Sequence, residues 1–353
     1  MKHFRISFLV TIFCLILASW WGYQNGGIYA AATALGIAVI LGIMEVSLSF
    51  DNAVVNASVL KNWDPFWQNI FLTIGMLIAV FGMRLIFPLV IVSLAADLGF
   101  VEVWNLAIDN PRAFSSHLTE HHDEVAVFGG IFLLLVALNF LFDETKEMHW
   151  LGNFEKKIAS FGKISSVPML IAMIVIVGIT GLVENDKQFV VLLSGIWGLI
   201  VYVGVDFISS ILESDEAEES EKSSDIGKVI KSGSIGGFLY LEILDASFSF
   251  DGVIGAFAIT NDIVIIMLGL TIGAMFVRSL TVYLVRQGTL DEYVFLEHGA
   301  HYAIGILALI MFISIKHAVP ELVTGLIGFL FIFASLVSSI RYRKEQNSIK
   351  SDN

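Results

Sequence analysis

The sequence is poor in charge, proline and cysteine. Only 15% of its 353 residues are charged, whereas soluble domains carry about 25%, so the composition excludes an ordinary soluble protein. There are five prolines and one cysteine, Cys14, which excludes a disulfide within the chain and leaves a thiolate site for a soft metal unsupported. Lysine and arginine (20) are outnumbered by aspartate and glutamate (33), and the net charge of −13 argues against a nucleic-acid partner.

Apolar residues are abundant instead. They make up 56% of the chain, including 28 phenylalanines, and the mean hydropathy of +0.81 is typical of an all-α, polytopic membrane protein. The first apolar run could be a signal peptide, but its length and the aromatic residues Trp20, Trp21 and Tyr23 favour a retained span. Runs of about 20 apolar residues predict ten spans, at 5–22, 28–59, 66–95, 126–143, 166–184, 188–211, 233–260, 263–285, 293–315 and 319–340.

The basic residues predict the orientation of these spans. With the N-terminus in the cytoplasm, fifteen lysines and arginines fall in internal segments and three (Arg112, Lys187 and Lys316) in external ones. Loops facing the cytoplasm carry the excess of basic residues. The sequence therefore predicts a multi-pass protein of the cell inner (plasma) membrane with both termini in the cytoplasm.

An acidic stretch separates two halves of the chain. Residues 213–225 contain seven acids and one lysine without an apolar period, which predicts a flexible cytoplasmic linker and a segment through which protein partners would dock. The predicted organisation is a first five-helix half at 1–212, the linker at 213–228, a second five-helix half at 229–345 and a disordered tail at 346–353.

An internal repeat relates the two halves. Glu45–Asn52 in the second span and Asp245–Gly252 in the seventh share acid, Ser, Ser, Phe and Asp at an offset of 200. Each is followed by Leu-Thr-Ile-Gly, at 72–75 and 270–273, and then by an arginine within a span. Because the motif spans are five apart, an odd number, the two copies cross the membrane in opposite senses. The chain is predicted to form two inverted five-helix repeats.

The motif places acids near the middle of the bilayer. Asp51 and Asp251 lie ten and eleven residues from the polar residues that end their spans, which corresponds to about 15 Å of helix. An ionised acid there costs about 2.5–3.5 kcal/mol, so arginines, protons or bound cations must neutralise the group. In a straight helix, Glu45 and Asp51 would face different directions. We expect an unwound or kinked stretch near residues 47–52 and 247–252; the alternative is two faces that pack against two neighbours.

The donor atoms of these motifs favour hard divalent cations. Carboxylate, amide, hydroxyl and carbonyl oxygens suit Mn²⁺, Mg²⁺ or Ca²⁺, and the motifs contain neither cysteine nor histidine. A structural role, in which Asp51 and Asp251 pair with Arg84 and Arg278, is the alternative. If the motifs form a metal site, Arg84 and Arg278 would tune its charge rather than act as ligands. The further supporting residues are Ser49, Glu242 and Ser249.

Other polar groups lie near the predicted ends of spans. Glu297 and His301, one helical turn apart, would form a pH-sensitive gate or proton relay, or else extend to the interface, and Asp143 would belong to a cytoplasmic exit. The external segment 97–125 is rich in histidine and acids. We interpret it as a solvated loop, and collection or release of metal by His117, His121, His122, Asp123 and Glu124 is the alternative.

The doubled motif, Glu45–Asn52 and Asp245–Gly252, resembles that of the TerC family of integral membrane proteins. The blocks at 297–302, 129–130 and 143–144 resemble more particularly its branch labelled domain of unknown function 475. The resemblance implies tellurium-ion resistance or manganese efflux, with the motif acids as the metal site. Gly252 stands where the first copy has Asn52, so the second copy lacks the amide. The ligands that the resemblance implies are Glu45, Asp51, Asn52, Asp245 and Asp251.

The sequence thus predicts a divalent metal-ion transporter, with Mn²⁺ export and proton coupling as the expected activity. The ion is cargo, and neither a permanently bound cofactor nor an enzymatic reaction is expected. An intramembrane aspartyl protease is disfavoured because the chain has no Gly-x-Gly-Asp motif and each Asp brings its own second acid. The other alternative is a non-transporting membrane subunit of a metal or tellurium stress-resistance complex.

Overall fold

The computed structural model describes residues 4–351 except 76, 97, 147, 165, 214–232, 288–292 and 318. All regular structure in this described part is helical, as expected for apolar segments, because a helix satisfies its own backbone hydrogen bonds where lipid cannot. The helices are α1 (Arg5–Leu48), α2 (Phe50–Leu60), α3 (Pro65–Ile70), two π-helical segments (Phe71–Gly75 and Ile78–Ile86), α4 (Phe87–Ala96), α5 (Phe100–Asp109), α6 (Pro111–Glu120), α7 (His122–Leu141), α8 (Asn153–Ala159), a 3₁₀ turn (Ser160–Lys163), α9 (Val167–Thr180), α10 (Gln188–Glu213), α11 (Ile235–Ile259), α12 (Ile263–Gln287), α13 (Leu296–Ser314) and α14 (Glu321–Ser351).

α1 is a hairpin of two helices. Gly27 has a φ of 70°, a conformation that favours glycine. A Cβ on Gly22 would lie 2.8 Å from the Cβ of Ala34, whereas twelve residues of straight helix span about 18 Å. The chain therefore turns back at Gly26–Gly27, in agreement with the predicted boundary between the first two spans.

The protein is a multi-pass membrane protein. Seven of the described helices are long and apolar enough to cross a membrane, and the pair Asn153–Gly162 and Val167–Thr180, bent by 95°, would be an eighth. The predicted count of ten is not confirmed. Two differences have a plain cause: α1 is counted once despite its turn, and α11 carries three acids within 25 residues. The seven are Arg5–Leu48, Pro65–Ser93, His122–Leu141, Gln188–Val205, Ile263–Arg286, Leu296–Ser314 and Val323–Gln346.

α12 packs against both halves of α1. In the first half, Ser7 Oγ donates to the carbonyl of Met275 (2.6 Å) and Trp21 Nε1 donates to Asp262 Oδ2 (2.9 Å), so this half runs antiparallel to α12. The second half runs parallel to α12. α11 packs against the π-helical segment Ile78–Ile86 and against α7 and α10. Each motif helix therefore lies beside a helix of the other predicted half.

Three predicted polar segments have different outcomes. Residues 100–120 form the helices α5 and α6, which bury Val103 and Phe114. The interpretation of the external segment as a solvated loop is therefore wrong for this stretch, because one face of each helix is apolar. The linker lies outside the described residues beyond the end of α10, and α14 continues to Ser351, through most of the segment predicted as a tail.

Candidate functional site

The two copies of the motif differ in their backbone. In the first copy, α1 ends at Leu48 and α2 begins at Phe50, with Ser49 (φ −100°, ψ 16°) between them, so the predicted break near residues 47–52 is confirmed. α11 runs without interruption from Ile235 to Ile259. The predicted break near residues 247–252 is therefore wrong; a straight helix whose faces contact different neighbours describes the second copy.

Glu45 and Arg84 form a buried ion pair at the break. Arg84 Nη2 donates to Glu45 Oε1, and Ser49 Oγ donates to the same oxygen at 2.8 Å. The side chains of Glu45 and Arg84 are 2% and 4% exposed. Arg84 also donates to the carbonyl of Ala79 in its π-helical segment. Arg84 therefore neutralises Glu45, one acid of the first copy. Among the described contacts, Arg84 forms no ion pair with Asp51.

An asparagine of the first copy contacts an acid of the second. Asn52 Nδ2 donates to Asp245 Oδ1, and Asn56 lies one turn further along α2. Asn52, Asn56 and Asp245 are all buried. The contact brings the two motifs together in the interior of the molecule, as the repeat predicts for Asn52 and Asp245.

Several buried oxygens around this contact have no hydrogen-bond partner among the described residues. They are Oδ1 of Asn52 and Asn56, Oγ of Ser249 and both carboxylate oxygens of Glu242. Glu242, Asp245 and Ser249 are spaced three and four residues apart and therefore share one face of α11. An unsatisfied buried polar group costs about 1–3 kcal/mol, so the arrangement is costly unless a ligand or a proton satisfies these atoms. Oxygen donors of this kind suit a hard cation.

Two of the predicted site residues, Asp51 and Arg278, make contacts that the sequence did not predict. Asp51 faces α14, where a Cβ on Gly328 would lie 2.6 Å from Asp51 Oδ2, and Asp51 Oδ1 accepts the backbone N–H of Asn52 (3.0 Å). Arg278 donates from Nε to the carbonyl of Leu72 (3.0 Å), which lies in a π-helical segment. Its role as a charge partner stays a prediction. The side chain of Asp251 lies outside the described residues.

Two glycines that the sequence analysis did not select make room for the acids. A Cβ on Gly273 would overlap Cβ and Cγ of Glu45, and a Cβ on Gly75 would overlap Oε1 of Glu242. Both glycines end the Leu-Thr-Ile-Gly blocks that the repeat contains. The repetition of this glycine in both blocks was the sequence signal that could have identified the two positions. In the structure, each glycine contacts the motif helix of the other half.

The predicted gate residues make local contacts. His301 Nδ1 donates to the backbone carbonyl of Glu297 (2.8 Å), and its ring stacks on Phe140 at 4.0 Å. Asp143 Oδ1 accepts from the backbone N–H and the hydroxyl of Thr145 (2.8 and 2.7 Å) and so stabilises a turn. A relay through these three side chains therefore has no continuous hydrogen-bonded path among the contacts described for them.

A buried charged cluster lies next to them. Lys146 Nζ donates to Glu155 Oε1 (2.8 Å), with the two side chains 7% and 0% exposed. His298 Nε2 lies 2.9 Å from the carbonyl of Met148 and 3.4 Å from Glu155 Oε1. Lys146 and Glu155 were not predicted as site residues, because both lie in the polar connection between α7 and α9, outside the repeated motifs.

Among the described side chains, no three His, Cys, Asp or Glu groups lie close enough together to hold one metal ion. The histidines of the segment predicted to be external make local pairs: His121 with Glu124 (2.8 Å) and His122 with Asp123 (3.7 Å). The contact between α2 and α11 remains the place where motif residues of both halves converge. The described oxygen atoms there that could bind a cation belong to two amides, a hydroxyl and the carboxylates of Glu242 and Asp245.

A family model described as "Protein of unknown function (DUF475)" matches residues 50–346. The match includes α2, the second motif on α11 and the block at 297–302. No curated protein and no solved structure matches the chain. Since the matched segment covers most of the sequence and includes both sides of the α2–α11 contact, the chain belongs to the DUF475 family.

Proposed function

We propose that this protein transports a divalent metal cation across the membrane, with Mn²⁺ export as the expected activity. The observation that carries the proposal is the set of unpartnered buried oxygens around Asp245, on Asn52, Asn56, Glu242 and Ser249. These atoms are of the type that Mn²⁺, Mg²⁺ and Ca²⁺ prefer. The ion is the cargo of the protein.

The charge of the site supports a divalent ion. Among the described side chains around Asp245, Glu45, Glu242 and Asp245 carry three negative charges when ionised, and Arg84 contributes one positive charge. A divalent cation brings the sum to zero, whereas without it the acids must take up protons. Because each unneutralised acid in the bilayer costs about 2.5–3.5 kcal/mol, release of the metal favours protonation, and exchange of metal for protons would follow.

The ten-span architecture of two inverted five-helix repeats belongs to the same proposal. It is supported by the turn at Gly26–Gly27 and by the reciprocal contacts of Glu45 with Gly273 and Glu242 with Gly75. Rocking of one half against the other would open the site to each side in turn. The kinship with the TerC family is proposed on the doubled motif. The protein would lie in the cell inner membrane with both termini in the cytoplasm.

The test is metal flux into proteoliposomes that contain the purified protein, with Mn²⁺, Mg²⁺, Ca²⁺ and Zn²⁺ compared. Wild type should carry Mn²⁺, and Asp245→Asn should lose about tenfold in flux, the equivalent of ~1.4 kcal/mol of ion affinity. Asp186→Asn, an exposed acid in the α9–α10 connection, is the matched control. Equal flux of Asp245→Asn and Asp186→Asn would contradict the proposed site.

The non-transporting subunit remains the second candidate, since the Glu45–Arg84 pair and the Asn52–Asp245 hydrogen bond also join helices as a structural contact would. This role predicts no flux of any of the four ions by the wild type. It also predicts that Asp245→Asn lowers stability without changing metal accumulation in cells. Asp51→Asn and Asp251→Asn should instead raise cellular manganese under metal load if the protein exports it.

A further inference from the structure

α5 has three distinct sides. Phe100, Trp104, Ile108 and Val101 project within an arc of about 100° at ~100° per residue, and they are 47%, 37%, 39% and 70% exposed. These are large apolar side chains that the described chain covers only in part. They form one continuous strip along the whole length of α5.

The other two sides are of different character. Asn105, Asp109 and Glu102 are exposed and occupy the next arc of about 60°. Val103 and Ala107 are fully buried against the protein on the remaining side. The helix therefore presents one side to protein, one polar side to water and one apolar side to a third environment.

The position of α5 identifies that environment. α4, which ends the span Pro65–Ser93, stops at Ala96, and α5 begins four residues later at Phe100. α6 then packs on the end of α11, where the Phe114 and Phe257 rings lie 5.7 Å apart. The apolar strip of α5 thus follows the apolar span Pro65–Ser93 in sequence, and α6 holds it at the level where α11 ends.

The same level carries an aromatic belt. The turn between α11 and α12 holds Asp262, to which Trp21 donates at 2.9 Å. The neighbouring Trp20 and Tyr23 are 56% and 60% exposed. Tryptophan and tyrosine concentrate at the boundary between acyl chains and headgroups, so this boundary passes close to α5.

We propose that α5 is an interfacial helix, with Phe100, Val101, Trp104 and Ile108 inserted between the lipid headgroups and acyl chains of the adjacent leaflet. Amphipathic helices bind membranes in this way by burying an apolar face at the boundary. α5 and α6 together would then hold the end of the motif helix α11 at the membrane surface. The inference is independent of the ion that the protein carries.

The single cysteine makes the test direct. In a Cys14→Ala background, Trp104→Cys and the adjacent Asn105→Cys are spin-labelled in full-length protein reconstituted in phosphatidylcholine vesicles. Collisions of each label with oxygen, which partitions into lipid, and with a nickel chelate, which stays in water, are then compared. The label at 104 should collide more with oxygen, and the label at 105 more with the chelate.

Two results would overturn the proposal. Equal chelate accessibility of the two labels would place the strip in water, and dipolar broadening of the label at 104 would show that a second copy of the chain covers it. Val101→Cys and Glu102→Cys form a second matched pair, so that the test holds if Trp104→Cys fails to fold. The expected order of accessibility for that pair is the same.

Discussion

The contact between α1 and α12 gives the sharpest quantitative prediction. In α12, Gly269 and Gly273 form a Gly-x-x-x-Gly pair, and such pairs let membrane helices approach closely. A Cβ on Gly273 would overlap Cβ and Cγ of Glu45 and lie 2.8 Å from the carbonyl oxygen of Gly42. These atoms belong to the backbone or to the base of a side chain, so they cannot move aside without shifting the helix.

Gly273→Ala should therefore destabilise the protein. Overpacking typically costs about 1–3 kcal/mol, and the higher helix propensity of alanine offsets about 0.5–1 kcal/mol of it. Gly36→Ala is the matched control, because Gly36 lies in the same pair of helices and has nothing within 4 Å of an added Cβ. The difference between the two variants isolates the overpacking cost, since the propensity gain is common to both.

The assay is unfolding in mixed micelles with increasing SDS, followed by loss of helical circular dichroism. Gly273→Ala should unfold about 1–3 kcal/mol below Gly36→Ala. It should also lose metal flux in proteoliposomes, because displacement of Glu45 disturbs its pair with Arg84. Equal stability and equal flux of the two variants would refute the close approach of α1 and α12.

Other contacts give further predictions. Lys146→Ala removes the ammonium partner of the buried Glu155 carboxylate, so it should cost about 3–5 kcal/mol in SDS unfolding. Removal of both side chains should cost less than the single change, and equal losses would contradict this. The hydrogen bond with Asp123 raises the pKa of Lys187. Since Lys187 is 45% exposed, Lys187→Met should change stability by less than ~1 kcal/mol. The stabilisation that the Lys187–Asp123 pair provides should be complete at pH values below the ordinary lysine pKa. It should vanish as the pH rises through the raised pKa of Lys187. A stability difference between wild type and Lys187→Met that grows with pH would argue against the pair.

The fold was predictable as far as it depends on local properties. Long apolar runs establish helices in a membrane because lipid offers the backbone no hydrogen-bond partners, and the described residues follow that expectation. The break at Ser49 was predictable from the helical phase of Glu45 and Asp51. The same argument wrongly predicted a break in α11. An unbroken helix can also direct its acids to different sides when different faces of the helix contact different neighbours.

The sequence by itself determined the membrane class, the doubled acidic motif and the type of donor atoms, since these depend on composition and spacing. Only the tertiary structure decided the partners. It paired Arg84 with Glu45, directed Arg278 to a backbone carbonyl, set Asp51 against α14 and covered one side of α5. The reason is physical: a side chain's partner depends on the separation and rotation of packed helices, and small residues such as Gly273, distant in sequence, set that separation.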